Sequence, residues 1–282
     1  MRTVLLLLSV IGVNAASLDT QDIIRRSVAA NDANWNAAPN YTFTEREVKT
    51  AGESKTVMNY RVWMIEGSPY NELVAINDKP LSPAEQAKEK QKLARETKRR
   101  EDEGQSERSR RIAKYQSERR QDHALMQEMT KALTFRLRGT ATLDGHAVYV
   151  FDATPRPGYQ PSSHETRVLT GMKGTLWVDK ETYQWVKVEA EVFRPVPFGL
   201  FIAKVNPGTR FILEQAPVSG GLWQPKRFRV EVRASIFWRK RNSDEDSTYS
   251  DYRLNKPATQ QHAMASRDSL EHPVSAPSIG TP

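Results

Sequence analysis

Apolar and polar residues alternate with a period of two along much of this chain, a pattern typical of strands that bury one face. The alternation is clearest at residues 41–46, 58–65, 133–138, 183–193 and 222–238. Further strand candidates lie at residues 70–78, 146–153, 171–179, 210–215 and 247–253. Together these segments predict roughly ten strands in a mostly antiparallel meander, which forms one curved sheet around a core.

Helical patterns interrupt the strands at two places. Residues 18–35 predict an N-terminal helix that Asp19 can cap. Ser82-Pro83-Ala84-Glu85 combines a capping serine, a proline at the first helical position and a glutamate that can complete the cap. This start predicts a strongly charged helical hairpin at about residues 82–131, broken near Gly104. A sheet with an opening helix and an inserted helical hairpin is an α+β fold.

The two arms of the predicted hairpin differ in composition. The first arm has few apolar residues, so we expect it to be largely solvated, whereas the better striped second arm should lie on the sheet. The basic runs at residues 98–100 and 110–111 have two interpretations. They either contact anionic lipid headgroups or belong to a solvated surface, since acidic residues are interleaved with them.

The N-terminus has the composition of an export signal. Arg2 precedes an apolar run at residues 4–13, which is shorter than the roughly twenty residues that span a bilayer. Val13-Asn14-Ala15 supplies the small residues of a cleavage site, so we predict cleavage after Ala15 and a periplasmic location. The alternatives are a buried core helix and an uncleaved anchor.

The predicted signal leaves one exported domain. Residues 1–15 form the signal peptide, residues 16–254 form a single domain, and residues 255–282 form a disordered tail without periodicity. The chain has no cysteine, so the fold must be held by packing without disulfides. A formal net charge of +8 favours anionic neighbours such as a membrane surface, or serves solubility alone. Nucleic acid is not expected as a partner of an exported protein.

Residues that would indicate catalysis are scattered. The 5 histidines lack metal-ligand spacing, and no nucleophile-elbow or phosphate-cradling glycine pattern occurs. His146 could pair with Asp144, but polar residues are expected at a hairpin turn in any case. Glu189 and Glu191 are neighbours on one strand face, but exposed strand faces commonly carry such pairs of carboxylates. We therefore predict no enzyme, no metal and no cofactor, and an exported hydrolase is the least supported alternative.

The segment at residues 193–205 is strongly apolar but contains Pro195, Pro197 and Gly199. Proline cannot donate to a strand ladder, so the segment predicts a loop or a short helix instead of a central strand. It either plugs the end of the sheet or forms a mobile lid over an apolar cavity. Its candidate lid residues are Phe193, Phe198, Leu200, Phe201 and Ile202.

Two stretches resemble a known family. Residues 174–182, Gly-Thr-Leu-Trp-Val-Asp-Lys-Glu-Thr, followed by Val186-Lys187-Val188-Glu189, resemble the strand–turn–strand signature of the LolA-like family of outer-membrane lipoprotein-sorting proteins. Gly208-Thr209-Arg210 and Leu222-Trp223-Gln224-Pro225-Lys226 resemble the openings of later strands in that family. The resemblance covers residues 18–253, and the insert at 82–131 is longer than expected in the carriers.

The resemblance implies an incompletely closed β-barrel whose apolar concave face is covered by helices. It implies a periplasmic carrier or binding protein for an apolar ligand, namely a lipid or lipoprotein acyl chains. The alternative is a sensory or regulatory module on the same fold, which recognises a peptide or lipid and signals through an envelope membrane protein. Peripheral contact with an anionic membrane is also expected. The strand residues that are candidates to line the cavity are Met58, Tyr60, Val62, Leu176, Val186 and Val188.

Overall fold

The computed structural model describes residues 19–163, 165–198, 203–236 and 239–255. The predicted signal peptide lies outside the described residues, and so does the predicted tail after Asn255. None of the described helices combines the length and the apolar composition that crossing a membrane requires.

Helices and strands follow each other in the order that the alternating pattern predicts. The first half of the chain contains α1 (Thr20–Ala37), β1 (Tyr41–Ala51), β2 (Ser54–Ile65), β3 (Ser68–Ile76), β4 (Lys79–Pro80), α2 (Pro83–Asp102) and α3 (Gln105–Ala132). The second half contains β5 (Leu133–Leu143), β6 (His146–Pro155), β7 (Met172–Asp179), β8 (Trp185–Val192), β9 (Val196–Phe198), β10 (Ala203–Val205), β11 (Arg210–Pro217), β12 (Trp223–Ile236) and β13 (Arg239–Leu254). Short 3-10 turns lie at Ala38–Asn40 and Glu165–Gly171.

All described strands belong to one antiparallel sheet. Its order is β4-β3-β2-β1-β13-β12-β11-β8-β7-β6-β5, and β10 adds a short hairpin with β9 to the side of β12. The ends of this order, β4 and β5, do not pair with each other, so the described strands form an open sheet. This confirms the α+β class and the incomplete closure, with 13 strands where about ten were predicted.

The apolar segment at residues 193–205 differs from its prediction. Residues 196–198 and 203–205 form the paired strands β9 and β10, so the prediction of a loop or short helix is wrong for them, while residues 199–202 lie outside the described residues. Pairing of Ala203 with Ile236 fixes β10 against β12, an interaction that local sequence does not reveal. Pro197 is tolerated because β9 pairs only with β10 and is therefore an edge strand.

The last strand begins earlier than predicted. β13 starts at Arg239, whereas the sequence pattern indicated a strand from residue 247. Residues 239–246 are almost entirely polar or charged, so they show no alternation. Their pairing with β12 is supported by cross-strand ion pairs instead, such as Arg227 with Asp246 at 2.6 Å.

One side of the sheet, which we call the helix-facing side, carries the main core. A single row of paired positions crosses nine strands on this side: Met58, Glu47, Ser247, Phe228, Leu213, Val188, Leu176, Phe151 and Leu137. Ile23 and Ile24 of α1 join the buried part of this row, and Met126 and Met129 of α3 pack against it. The row is apolar from β12 to β5 and becomes mixed at β1 and β13.

The opposite side, which we call the open side, has a smaller cluster of Val148, Val150, Val186 and Trp223. Val186 and Val188, both predicted to line one cavity, therefore lie on opposite sides of the sheet. The register shifts between Trp177 and Val178, which pair with Lys187 and Trp185 respectively. The extra residue at this bulge turns Val186 to the other face.

The inserted helices form the predicted hairpin. Ser82 and Glu85 make a complete capping box at the start of α2, and Gly104 is the N-cap of α3. The α2 surface is mostly exposed, which confirms the solvated first arm. The 28 residues of α3, about 42 Å of helix, contact β3 near one end of the sheet and β5 at the other. The second arm thus bridges the two ends of the open sheet.

Two arginines of the basic runs hold this hairpin in place. Arg100 is buried and donates hydrogen bonds to the carbonyls of Ile65 at 3.0 Å and Ser68 at 2.8 Å. Arg111 donates to the Ser68 hydroxyl at 2.6 Å and to the Glu66 carbonyl at 3.0 Å. Both interpretations of these two residues, headgroup contact and solvated surface, are wrong, because they anchor the helices to the β2–β3 turn.

Replacing Arg100→Met should lower the free energy of unfolding by about 2–4 kcal/mol, because two buried carbonyls lose this donor and the Glu96 carboxylate keeps only Arg99. Urea unfolding followed by circular dichroism measures this change. Arg110→Met is the matched control, since Arg110 is exposed on the same hairpin. Equal stability of the two variants would contradict the anchoring role of Arg100.

Candidate functional site

The described residues leave little free space where α1 and α3 pack on strands β5–β8. An apolar cavity of about 30 Å³ lies between α1, α3 and strands β5–β8. Its walls include Ile24, Met129, Phe135, Leu169 and Leu176. This volume is close to that of one water molecule. In this arrangement the cavity cannot accept an acyl chain, so a ligand on the helix-facing side must either move a helix or bind beside the helices.

The underside of α1 is unusually polar for a helix that covers a core. Ser27, Asn31 and Asn34 are buried there. The Trp185 indole N–H donates to the Ser27 hydroxyl at 3.1 Å, and the Asn34 amide donates to Gln184 Oε1 at 2.6 Å. Asn31 Oδ1 has no hydrogen-bond partner within the described part of the chain. Directional polar contacts, together with Ile23 and Ile24, therefore fix α1 on the sheet.

A cluster that the sequence analysis missed joins α1 to α3. His123 Nε2 lies 3.0 Å from Asp32 Oδ1, and the His123 ring stacks on Trp35 with centroids 4.2 Å apart. The Arg119 guanidinium lies 4.2 Å from the Trp35 ring centroid and donates to the Trp35 carbonyl. Spacings of three and four residues place each pair on one helix face, a signal that could have found them. We call these four residues the helix clamp.

Beyond the helices, the helix-facing side carries apolar residues that remain half-buried. Phe211 and Phe228 meet edge to face at 5.2 Å, and Phe43 lies 5.9 Å from Tyr249. Ladder pairing places the whole set on one side of the sheet. We call the following residues the apolar strip: Phe43, Met58, Tyr60, Phe211, Phe228, Val230 and Val232.

Three carboxylates interrupt the apolar strip, because Glu45 lies on its face together with Glu47, opposite Met58, and Glu245, opposite Val230. Glu45 follows Phe43 on the same face of β1, opposite Tyr60 on one neighbouring strand and Tyr249 on the other. Burial, and then the charge of Glu47, raise the pKa of Glu45 above its ordinary value. Burial also raises the pKa of Tyr249. The strip at this point is therefore poorly solvated, although its residues are polar.

All candidate residues from the sequence except Phe193 fall into four groups. Leu176 and Val188 pair with each other and are buried in the core, and Val62 is buried on the same side of the sheet. Met58 and Tyr60 lie in the apolar strip. Val186 lies on the open side. The side chain of Phe198 and the whole of Leu200, Phe201 and Ile202 lie outside the described residues.

Phe193 is separated from the other candidates. Its side chain is 43% exposed, and it borders a surface cleft of about 460 Å³ together with Tyr159, Thr170 and Arg194. The structure therefore does not place Phe193 over the core.

The open side has a larger and more polar cleft. It measures about 750 Å³ and is lined by side chains of β5, β6, β7, β8 and β11. Cross-strand ion pairs line this cleft: Arg136 lies 2.6 Å from Asp152, and Lys173 lies 3.1 Å from Glu191. Glu189 pairs with Lys187 instead of acting with Glu191. These carboxylates are satisfied by neighbours across the sheet.

The histidine considered for catalysis has a different partner from the one predicted. His146 Nδ1 lies 3.3 Å from Asp179, while Asp144 pairs with Lys226 at 3.0 Å. Asp179 also accepts hydrogen bonds from the Thr182 N–H and hydroxyl, both at 2.7 Å. Asp179 therefore organises the β7–β8 turn. In residues 19–255, apart from the gaps, no three acidic or histidine side chains group as metal ligands.

Opposing effects set the pKa of Asp179. Burial alone would raise it, but hydrogen bonds from Thr182 and Glu181, together with nearby His146, hold the pKa below its ordinary value of 3.8. Because the folded-state pKa is lowered, the stability that this group contributes is present above the unfolded-state pKa. It is lost as the pH falls through the folded-state pKa.

Asp179→Asn should therefore lower the free energy of unfolding at pH 7 by about 1–3 kcal/mol, because charge-assisted hydrogen bonds are lost. The difference from the unmodified protein should shrink below about pH 4. Urea unfolding at pH 7, 5 and 3 measures it, and Asp144→Asn, at an exposed turn residue, is the control. A difference as large at pH 3 as at pH 7 would refute this role of Asp179.

Similarity to known proteins is found at the level of solved structures. No protein-family model and no curated protein sequence matches the chain. A solved LolA superfamily protein from Nitrosomonas europaea matches with 13% identity and a TM-score of 0.31, covering 86% of this chain and 97% of that one. An outer membrane lipoprotein-sorting protein domain from Vibrio parahaemolyticus matches with 11% identity and a TM-score of 0.31, covering 86% and 98%.

The Pseudomonas aeruginosa MucA/MucB complex also contains a match. It has 8% identity and a TM-score of 0.21, and the match covers 84% of this chain and 99% of that one. All three TM-scores are low, so these matches assign this chain neither a ligand nor a partner. The solved structures that match this chain include members of the LolA superfamily and outer membrane lipoprotein-sorting domains.

Proposed function

We propose that this protein is a periplasmic carrier or binding protein for an apolar ligand, with a lipid or lipoprotein acyl chains as the ligand. The observation that carries the proposal is the apolar strip, whose aromatic and aliphatic side chains stay half-buried next to a helix-covered core. Such a surface gains free energy when an apolar ligand covers it. The composition of residues 1–15 supports the periplasmic location.

The energy available to such a site is large. Each methylene that leaves water contributes about 0.8 kcal/mol, so one long acyl chain offers roughly 10 kcal/mol before ordering costs. A site for such a chain needs no catalytic side chain, and the proposal includes no chemical step. The carboxylates of Glu45, Glu47 and Glu245 are the features that an acyl chain would have to avoid or neutralise.

Full burial of a chain requires α1 or α3 to move, because the enclosed cavity holds about 30 Å³. The contacts that must open are the helix clamp and the hydrogen bonds beneath α1. Water can replace polar contacts of this kind, so separating α1 costs less than separating a wholly apolar helix. In this proposal the apolar strip receives the ligand first. Leu176 and Val188 form the wall that becomes accessible when a helix moves.

The predicted lid remains a proposal for Leu200, Phe201 and Ile202, which lie outside the described residues. Val186 is not part of the proposed site, since it faces the open side of the sheet.

A second candidate function is a sensory or regulatory module that binds a peptide and an envelope membrane protein. The observation that favours it is the cleft of about 750 Å³ on the open side, whose charged lining suits a peptide better than a lipid. MucB, which is among the matched structures, was solved in complex with MucA. A stoichiometric complex with a membrane protein in the absence of lipid would favour this second function.

Substitution of one strip residue tests the first function. Val230→Gln should weaken the binding of a fluorescent fatty acid about tenfold, because covering a valine-sized surface contributes on the order of 1.5 kcal/mol. Arg229→Gln is the matched control, since neighbouring residues of β12 face opposite sides of the sheet. Fluorescence titration of both variants measures the effect.

The outcome that would remove the proposal is an equal affinity of the two variants for the fatty acid. Mass spectrometry after gentle purification gives an independent measurement, and we expect a bound lipid. Absence of a bound lipid together with no fatty-acid binding would leave the second function.

A further inference from the structure

Four cations beside the C-terminal end of β12 have no acidic partner among the described residues. Lys204 lies in β10, and Arg239, Lys240 and Arg241 open β13. All four side chains are exposed, and none forms an ion pair with any carboxylate in the described ranges. We call these four residues the basic end.

Strand pairing brings the basic end together in space. Lys204 and Lys240 both lie opposite Ser235, one on each neighbouring strand, so they share one side of the sheet. Arg241 lies opposite Ala234, and Arg239 lies opposite Ile236. Since alternate residues face opposite sides, the two arginines lie on the other side. The end of this three-stranded region is therefore positive on both faces.

The same strands are neutralised elsewhere along their length. Arg227 pairs with Asp246 at 2.6 Å, Arg229 pairs with Glu231 at 2.6 Å, and Arg233 pairs with Asp244. The acidic residues of β13 stop at Asp244, and the three residues that open the strand are all basic. Like charges on adjacent positions repel each other and weaken the strand end. No carboxylate in the described ranges compensates this charge, so an external anion can provide the compensation.

We propose that the basic end docks this protein on the anionic surface of a phospholipid bilayer. Four exposed cations on both faces of a strand end can contact several headgroup phosphates at once, and a bilayer is the extended anionic surface of the cell envelope. The proposal deepens the proposed function, on which it rests, because a carrier of lipid must meet a membrane to load or release it.

The connections next to the basic end are apolar in sequence. They read Gly199-Leu200-Phe201-Ile202 and Phe237-Trp238, and they lie outside the described residues. The proposed docking site consists of the four cations alone.

Vesicle binding tests the docking site. The full exported chain is mixed with vesicles of phosphatidylglycerol and phosphatidylcholine, or of phosphatidylcholine alone, and the bound fraction is measured by sedimentation. We expect binding only to the anionic vesicles and weaker binding as salt is added. The triple variant Arg239→Ser, Lys240→Ser, Arg241→Ser should bind roughly 100-fold more weakly, because each basic residue near an anionic surface contributes a factor of about five.

A second triple variant distinguishes binding through the basic end from a general effect of the protein's net charge. Lys55→Ser, Lys88→Ser and Arg110→Ser remove the same charge from exposed positions elsewhere and should change vesicle binding little. Arg239→Lys with Arg241→Lys keeps the charge and should keep the binding, which controls for folding at the strand end. Equal losses in both triple variants, or no binding of the unmodified protein to anionic vesicles, would overturn the proposal. An acidic protein would then be the partner to test.

Fatty-acid titration keeps this inference distinct from the proposed function. The basic-end variant should bind the fluorescent fatty acid as tightly as the unmodified protein. Retained vesicle binding in that variant together with retained fatty-acid binding would reject the docking site and leave the carrier proposal standing.

Discussion

The packing of the whole fold depends on one row of paired side chains. This row crosses four neighbouring strands and consists of Leu213, Val188, Leu176 and Phe151. These residues are buried because Ile23 and Ile24 of α1 cover them and Met126 and Met129 of α3 pack beside them. Their strands in turn fix the turn at Asp179 and the position of Trp185, to which α1 is hydrogen-bonded. The helix and the sheet therefore order each other, and neither has a complete core alone.

The cover over this row is divided between two helices of different character. α1 contributes two isoleucines and then buries Ser27, Asn31 and Asn34, so much of its attachment is directional. α3 reaches both ends of the sheet, and the α2–α3 hairpin is anchored at the β2–β3 turn by Arg100 of α2 and Arg111 of α3. Hydrogen bonds fix the position of a helix through their direction. Each contributes only modest net stability, so the free energy needed to detach such a helix is also modest. The proposed binding function needs both properties.

Local signals in the sequence predicted local features well. The Asp19 cap, the capping box of Ser82 and Glu85, and the hairpin turn at Asp144-Gly145, where both residues have positive φ, appear as expected. Features set by distant partners were missed. The bulge that turns Val186, the pairing of β10 with β12, and the helix clamp of Asp32 and His123 depend on contacts between segments far apart in the chain. Of the seven residues in the apolar strip, the sequence analysis named only Met58 and Tyr60, because the face of each strand becomes clear only from its register.

The two ends of the sheet order differ in how they meet a neighbouring molecule. β4 has two residues, one of them Pro80, and offers another chain almost no backbone to join. β5 is long, but Arg136 and Arg138 project from it, and a second copy laid alongside would bring these guanidinium groups together. Growth of the sheet from one molecule into the next is thus opposed at both margins, by shortness at one and by repulsion at the other.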